Sequence, residues 1–139
     1  MMIQLAAYRP HRRSDVLGRL ICLWTGYPYS HCELVIDGVC YSSSARDGGV
    51  RGKRIDLSPE WWRLVEIRGY TSSGILARFN ETKGARYGWM DILCRQILRL
   101  PIKSNGYFCS EWCAMALGLP EPTSWTPGML VEYFEGLRQ

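Results

Sequence analysis

The sequence predicts an α+β domain in which a small antiparallel sheet packs against separate helices. Three observations indicate this fold class. An Asp-Gly pair joins two short runs with strand character, further segments carry apolar residues at helical spacing, and strands and helices do not alternate regularly along the chain. The length of 139 residues is typical of one domain, so we interpret residues 1–139 as a single folded unit.

Composition excludes several classes of protein. Hydrophobic residues make up 47% of the chain and charged residues 22%, which excludes disordered, collagenous and coiled-coil proteins. No window reaches the roughly 18 consecutive apolar residues of a membrane span, and the first residues lack the apolar segment of a signal peptide. We therefore expect a cytoplasmic protein in the producing cell, with a phage-encoded or contact-delivered protein as the alternative.

The first predicted elements are a strand and a helix. The strand covers residues 3–8. Ser14 and Asp15 are N-cap residues for a helix that ends at Gly26 and Pro28. Four apolar side chains share one face of this helix: Leu17, Leu20, Ile21 and Trp24.

A β-hairpin is predicted from residues 30–36 and 39–44. Asp37-Gly38 lies between these strands and supplies the positive φ angles that a two-residue type I′ turn requires. When the register is extended from this turn, His31 faces Ser44, and Glu33 faces Ser42 on the same side of the sheet.

The rest of the chain is mainly helical by prediction. Glycine and proline mark the ends of the segments. In chain order, we predict a loop at 46–53, a strand at 63–68, and helices at 73–83, 87–100, 107–117 and 127–137.

Two residues of this pattern have the chemistry of a nucleophile and a base. Cys109 lies at the start of a predicted helix, where the helix dipole and unpaired backbone N–H groups favour thiolate over thiol. The same N–H groups are suited to an oxyanion, and His31 on a strand is suited to act as base and then acid in acyl transfer. Spacing alone leaves open a second interpretation, in which Cys109 is a small core residue and His31 a structural histidine.

Four segments carry a resemblance to a known family. They are Tyr-Ser-His-Cys-Glu-Leu-Val-Ile at 29–36, Gly-Ala-Arg-Tyr-Gly-Trp at 84–89, Gly-Tyr-Phe-Cys-Ser-Glu-Trp at 106–112 and Thr-Pro-Gly-Met-Leu at 126–130. With these segments in this order, the chain resembles the circularly permuted NlpC/P60 branch of the papain-like cysteine hydrolases, which includes the lecithin:retinol acyltransferase-like proteins. The resemblance spans nearly the whole chain. It implies a permuted papain-like fold, with the histidine before the cysteine.

The resemblance implies roles for the site residues. Cys109 is then the nucleophile, His31 the base, and a polar residue on the strand after the histidine orients the imidazole. Our register places Ser44 opposite His31 and Ser42 diagonal to it, which departs from the larger polar residues usual in this branch. We expect one of these serines to contact the imidazole, with Glu33 as the alternative.

Further positions also have expected roles. Tyr87 matches a cleft-lining tyrosine of the family and Ser110 follows the nucleophile, so both are expected to bind substrate. Core packing against Trp89 is the alternative for Tyr87. Cys113 is either a resolving thiol one helical turn from Cys109 or a core residue. We interpret the other cysteines as core thiols: Cys22, Cys32, Cys40 and Cys94.

The expected function is that of a cysteine peptidase or amidase that forms a Cys109 thioester without a metal or cofactor. Its substrate is a peptide, another amide or an acyl ester, and the motif does not select among cell-wall peptides, isopeptides and lipids. The alternative is a non-catalytic binding module on the same scaffold. A binder of anionic surfaces ranks third, and we expect no specific nucleic-acid binding and no membrane span. The hypothesis of an anionic-surface binder rests on seven cations: Arg9, Arg12, Arg13, Arg46, Arg51, Lys53 and Arg54.

Overall fold

A computed structural model of the protein describes residues 2–88 and 106–137. These residues form a five-stranded antiparallel sheet and four α-helices, which confirms the α+β prediction. The strands are β1 (Ile3–Tyr8), β2 (His31–Ile36), β3 (Val39–Ser44), β4 (Gly49–Lys53) and β5 (Trp62–Ile67). The α-helices are α1 (Val16–Thr25), α2 (Ser72–Thr82), α3 (Cys109–Ala116) and α4 (Pro127–Gly136), and a 3₁₀ turn covers Pro122–Ser124.

The order of strands brings three aromatic side chains to one end of the sheet. The order is β4-β3-β2-β1-β5, and β1 pairs along its whole length with both β2 and β5. Tyr8 is therefore the partner of His31 on one side and of Trp62 on the other. Helix α3 packs against β2 and β3, so its first residue lies near this end of the sheet.

The predicted hairpin is confirmed, but its regular pairing is short. Asp37 and Gly38 have φ angles of 53° and 80°, as a type I′ turn requires. The register begins at Ile36 and Val39, as predicted, and ends at the Leu34–Tyr41 pair. The hairpin turn therefore determines the register only for the pairs next to it.

Beyond that point, β3 no longer pairs regularly with β2. The Ser42 hydroxyl donates to the carbonyl of Cys32 at 2.7 Å, and β3 continues its pairing with β4 instead. The predicted pairs of His31 with Ser44 and of Glu33 with Ser42 are therefore absent from the β2–β3 register.

The loop predicted at 46–53 is wrong in its second half. Residues 49–53 form β4, in which Arg51 lies opposite Ser42. Gly49 has a φ of 149°, and a Cβ there would lie 1.9 Å from the carbonyl oxygen of Ala85. Glycine is thus required by the close approach of another segment to a strand, a role that composition alone does not distinguish from a loop.

Helix α1 begins and ends as predicted, but its apolar face lies outside the core. No residue of α1 is buried, and Leu20 and Leu23 are 53% and 80% exposed. The helix approaches the rest of the protein at Gly18, where a Cβ would lie 3.0 Å from the Ser30 hydroxyl oxygen. The core lies instead between the sheet and the other helices, around buried Trp112, Leu34 and Phe134 among others.

The remaining helices agree with prediction where they are described. Helices α2, α3 and α4 lie within the predicted segments, give or take one residue. The helix predicted at 87–100 lies outside the described residues except for Tyr87 and Gly88. Trp89 and Cys94 also lie outside them. Among described helices, none is long and apolar enough to cross a membrane.

Candidate active site

The backbone places Cys109 in the first turn of α3. Phe108 has extended backbone angles and is the N-cap residue. Its N–H donates to the carboxylate of Glu111 at 3.2 Å, and its carbonyl accepts from the N–H of Trp112 at 2.9 Å. This Glu111 contact is one half of a capping box, which fixes the start of the helix at the cysteine.

The segment before Cys109 is tied to two neighbouring segments. Tyr107 forms a β-bridge with Tyr87, and its carbonyl accepts a hydrogen bond of 2.5 Å from Ser43. A Cβ at Gly106 would lie 2.6 Å from the carbonyl oxygen of Arg86, so glycine allows this close approach. The position of Cys109 is therefore set by β3 and by the 86–87 segment as well as by its own helix.

The structure brings Cys109, His31 and Glu33 together in one row. The His31 imidazole lies close enough to the Cys109 thiol for each to shift the pKa of the other, and its Nε2 contacts the carboxylate of Glu33. The imidazole is 23% exposed, whereas Glu33 is completely buried. A nucleophile, a base and an orienting carboxylate are thus adjacent.

A second ion pair holds Glu33 from its other side. Arg51 donates to both carboxylate oxygens of Glu33, at 2.6 and 2.8 Å, in the bidentate geometry favoured by guanidinium and carboxylate. Arg51 also donates to Asp47 at 2.7 Å, and the Lys53 ammonium lies 2.8 Å from the same carboxylate. The orienting carboxylate is therefore fixed by a network that reaches from β2 to β4.

These contacts alter the pKa of each group in the row. A hydrogen bond from Cys32 outweighs burial and, together with the charge of His31, holds the pKa of Cys109 well below its ordinary value. Burial lowers the pKa of His31, but Glu33 and Cys109 outweigh it and raise this pKa to about 10. Burial likewise opposes ionisation of Glu33, yet His31 and Arg51 lower its pKa. These shifts favour a thiolate at Cys109, an imidazolium at His31 and a carboxylate at Glu33, so the charges alternate along the row and continue with the guanidinium of Arg51.

The two serines expected beside the imidazole do not contact it. Ser42 is completely buried and donates to the Cys32 carbonyl, while Ser44 lines the cleft without a hydrogen bond to His31. The expectation of a serine partner is wrong because regular β2–β3 pairing ends before these residues. Glu33, the alternative from the same strand as His31, occupies the position instead.

The two residues expected to bind substrate are placed differently. Tyr87 lines a cleft of about 410 Å³ that also contains His31 and Trp62. Ser110 is only 1% exposed, and its hydroxyl donates to the carbonyl of Trp125 at 2.7 Å. The assignment of Ser110 to substrate binding is therefore corrected, because this hydrogen bond turns its side chain into the core.

Arg51 is a site residue that sequence reasoning missed, since it was placed in the loop predicted at 46–53 and counted only among the cations of a basic surface. Residues 49–53 form a strand, and successive side chains of a strand point to opposite faces of the sheet. Recognising this strand in the sequence would have placed Arg51 on the same face as Glu33. Arg51 and Lys53 both form ion pairs with acidic residues of this chain, so they no longer support the hypothesis of a basic binding surface.

Comparisons with models of protein families, with curated proteins and with solved structures found no match.

The first prediction concerns thiol reactivity. Brief treatment with substoichiometric iodoacetamide at pH 6 should label Cys109 before any other cysteine, because thiolate is the reactive form. Burial raises the pKa of Cys22, and burial together with Glu33 raises that of Cys40 to about 11, so both remain thiols at this pH. Mass spectrometry of peptides locates the label. Cys22 is partly exposed, so its interpretation as a core thiol is wrong, and preferential labelling of Cys22 would contradict the thiolate assignment.

Proposed function

We propose that the protein is a cysteine hydrolase that cleaves an amide or ester bond through a thioester on Cys109, on a permuted papain-like fold. The observation that carries the proposal is the row formed by Cys109, His31 and the buried carboxylate of Glu33. Such a row supplies a nucleophile, a proton carrier and a group that fixes the ring. Substrates are peptides, other amides or acyl esters.

The first half of the reaction forms the thioester. The Cys109 thiolate attacks the substrate carbonyl carbon, and the negative charge moves to the carbonyl oxygen. Backbone N–H groups in the first turn of α3 are suited to stabilise this oxyanion, since they have no partner within the helix. The His31 imidazolium then donates its proton to the leaving amine or alcohol.

The second half regenerates the thiolate. Neutral His31 takes a proton from water, the resulting hydroxide attacks the thioester carbonyl, and the acid product leaves as Cys109 becomes a thiolate again. Glu33 holds the imidazole throughout, because its carboxylate contacts Nε2 while Arg51 keeps that carboxylate in place. Glu33 and Arg51 are thus positioning residues.

A non-catalytic binding module remains the alternative function. An imidazole without a strong polar partner would favour it, whereas the carboxylate of Glu33 contacts the ring of His31. A module that only binds has no need of a thiolate, whereas the contacts of Cys109 lower the pKa of its thiol. These features favour the hydrolase.

The test uses p-nitrophenyl acetate as an activated ester. We expect a burst of p-nitrophenol, one acetyl group on Cys109 in intact-protein and peptide mass spectra, and slower steady turnover as the thioester is hydrolysed. Cys109→Ala should lose both burst and turnover. Cys40→Ala, a control that removes a buried thiol outside the row, should retain both.

Two results would contradict the proposal. The first is acetylation of other residues with Cys109 unmodified. The second is an acetyl group on Cys109 that persists without hydrolysis, because it would show a reactive thiol without the second half of the reaction.

A further inference from the structure

Three thiols meet beneath the candidate active site. Cys32 on β2 lies in the same buried cluster as Cys109 and interacts electrostatically with its thiol, and the Cys32 Sγ lies 3.7 Å from the Sγ of Cys113. All three residues are buried, with Cys109 the most exposed at 4%. The nucleophile thus has a second thiol from another element directly beside it.

Geometry selects the partner with which Cys109 can form a disulfide. A disulfide needs Cβ atoms about 3.5–4.5 Å apart, whereas residues four apart on a helix have Cβ atoms about 5–6 Å apart. Cys113 is four residues after Cys109 on α3, so a bond between them would distort the helix. Cys32 approaches Cys109 from the sheet and carries no such constraint.

We propose that Cys32 and Cys109 form a hydroperoxide-sensitive modification site, in which Cys32 is the resolving thiol. The Cys109 thiolate attacks one oxygen of the peroxide, the O–O bond breaks, and hydroxide or alkoxide leaves as Cys109 becomes a sulfenic acid. The sulfur of Cys32 then attacks the sulfur of Cys109 and displaces its hydroxyl group. This group leaves as water with the thiol proton of Cys32. Two electrons from the two sulfurs reduce one peroxide, and a dithiol reverses the change.

The consequence is a reversible loss of the nucleophile. Disulfide formation removes the thiolate, and it also protects Cys109 from further oxidation to the sulfinic acid, which is irreversible without a dedicated repair enzyme. This inference needs only a reactive thiolate beside a second thiol, so it stands apart from the proposed hydrolase.

The experiment treats the reduced full chain with hydrogen peroxide at neutral pH. Free thiols are then blocked, and peptides are mapped by tandem mass spectrometry without reduction. We expect a Cys32–Cys109 disulfide that dithiothreitol reverses. Cys32→Ala should lose this bond and accumulate Cys109 sulfinic acid. Cys113→Ala should keep the bond, as should the control Cys40→Ala.

The disulfide map of the unmodified chain tests the proposal even if Cys32→Ala does not fold. A Cys109–Cys113 disulfide or a Cys32–Cys113 disulfide would overturn the pairing of Cys32 with Cys109, and sulfinic acid on Cys109 without any disulfide would overturn the resolving role. The disulfide is detected directly by mass spectrometry and not through enzyme activity. The Cys32–Cys109 bond can therefore form in a protein that does not hydrolyse esters, and it can be absent from one that does.

Discussion

Replacing His31 by alanine should slow alkylation of Cys109 by roughly 10- to 100-fold at pH 6, because a thiol without its imidazolium partner returns toward the ordinary range of pKa. The hydrogen bond from Cys32 also lowers the pKa of Cys109, so part of the thiolate survives in the variant. The measurement is the rate of iodoacetamide addition to Cys109, followed by mass spectrometry.

The pH dependence of this alkylation rate should differ between the unmodified chain and His31→Ala. In the unmodified chain, the rate should be flat through neutral pH, because the pKa of Cys109 lies well below its ordinary value and that of His31 is raised to about 10. In His31→Ala, the rate should rise with pH until the thiol has ionised. Below that pKa, each pH unit gives about tenfold more thiolate.

His11→Ala is the matched control for this prediction. His11 is the other histidine of the chain and stacks on Trp61, with ring centroids 3.8 Å apart. Its substitution should leave both the rate and its pH dependence unchanged. Equal slowing in the two variants would mean that His31 does not stabilise the thiolate.

Replacing Arg51 by methionine should lower the free energy of unfolding by about 3–5 kcal/mol, the cost typical of removing one partner of a buried ion pair. Glu33 is completely buried, and Arg51 donates to both of its carboxylate oxygens. Without the guanidinium, Glu33 loses these hydrogen bonds and keeps His31 as its ionic partner. Urea denaturation at pH 7 measures the loss.

This loss should shrink in acid. The folded pKa of Glu33 is lowered, so its ionised form stabilises the native state above its unfolded pKa of about 4.3. That contribution disappears as pH falls through the folded pKa. The difference in stability between the unmodified chain and Arg51→Met should therefore be largest near neutral pH and smaller at pH values below about 4.

Arg63→Met and a double variant provide the controls. Arg63 pairs with Glu135 at the surface, so the same substitution there should cost at most about 1 kcal/mol. Combining Glu33→Gln with Arg51→Met should cost less than the two single losses added together, since the partners are coupled. Equal losses of unfolding free energy in Arg51→Met and Arg63→Met would show that the buried Glu33–Arg51 pair stabilises the protein no more than a surface pair does.

Local signals in the sequence determined much of the fold. Asp37-Gly38 specified a type I′ turn because few residue pairs accept two positive φ angles, and the register beside the turn followed from it. Thr126-Pro127 marked the start of α4, where the Thr126 hydroxyl accepts from the N–H of Met129 at 3.2 Å. Each of these features is settled by interactions within a few residues.

The place of Cys109 and its closeness to His31 were predicted for different reasons. A helix beginning near Cys109 follows from local pattern, whereas the meeting with His31 depended on a family resemblance, because no local interaction joins residues so far apart in the chain. The prediction that Ser42 or Ser44 contacts the imidazole was wrong, because the register was extended past the point where regular β2–β3 pairing ends.

By itself, therefore, the sequence determined the fold class, the hairpin and the helix that carries Cys109, because turn and capping preferences act over a few residues. Only the tertiary structure decided that β4 is a strand and that Arg51 reaches across the sheet to Glu33. It also decided that Cys32 lies against Cys109. The physical reason is that each of these contacts joins different elements, and its geometry exists only once the sheet is assembled and α3 is packed upon it.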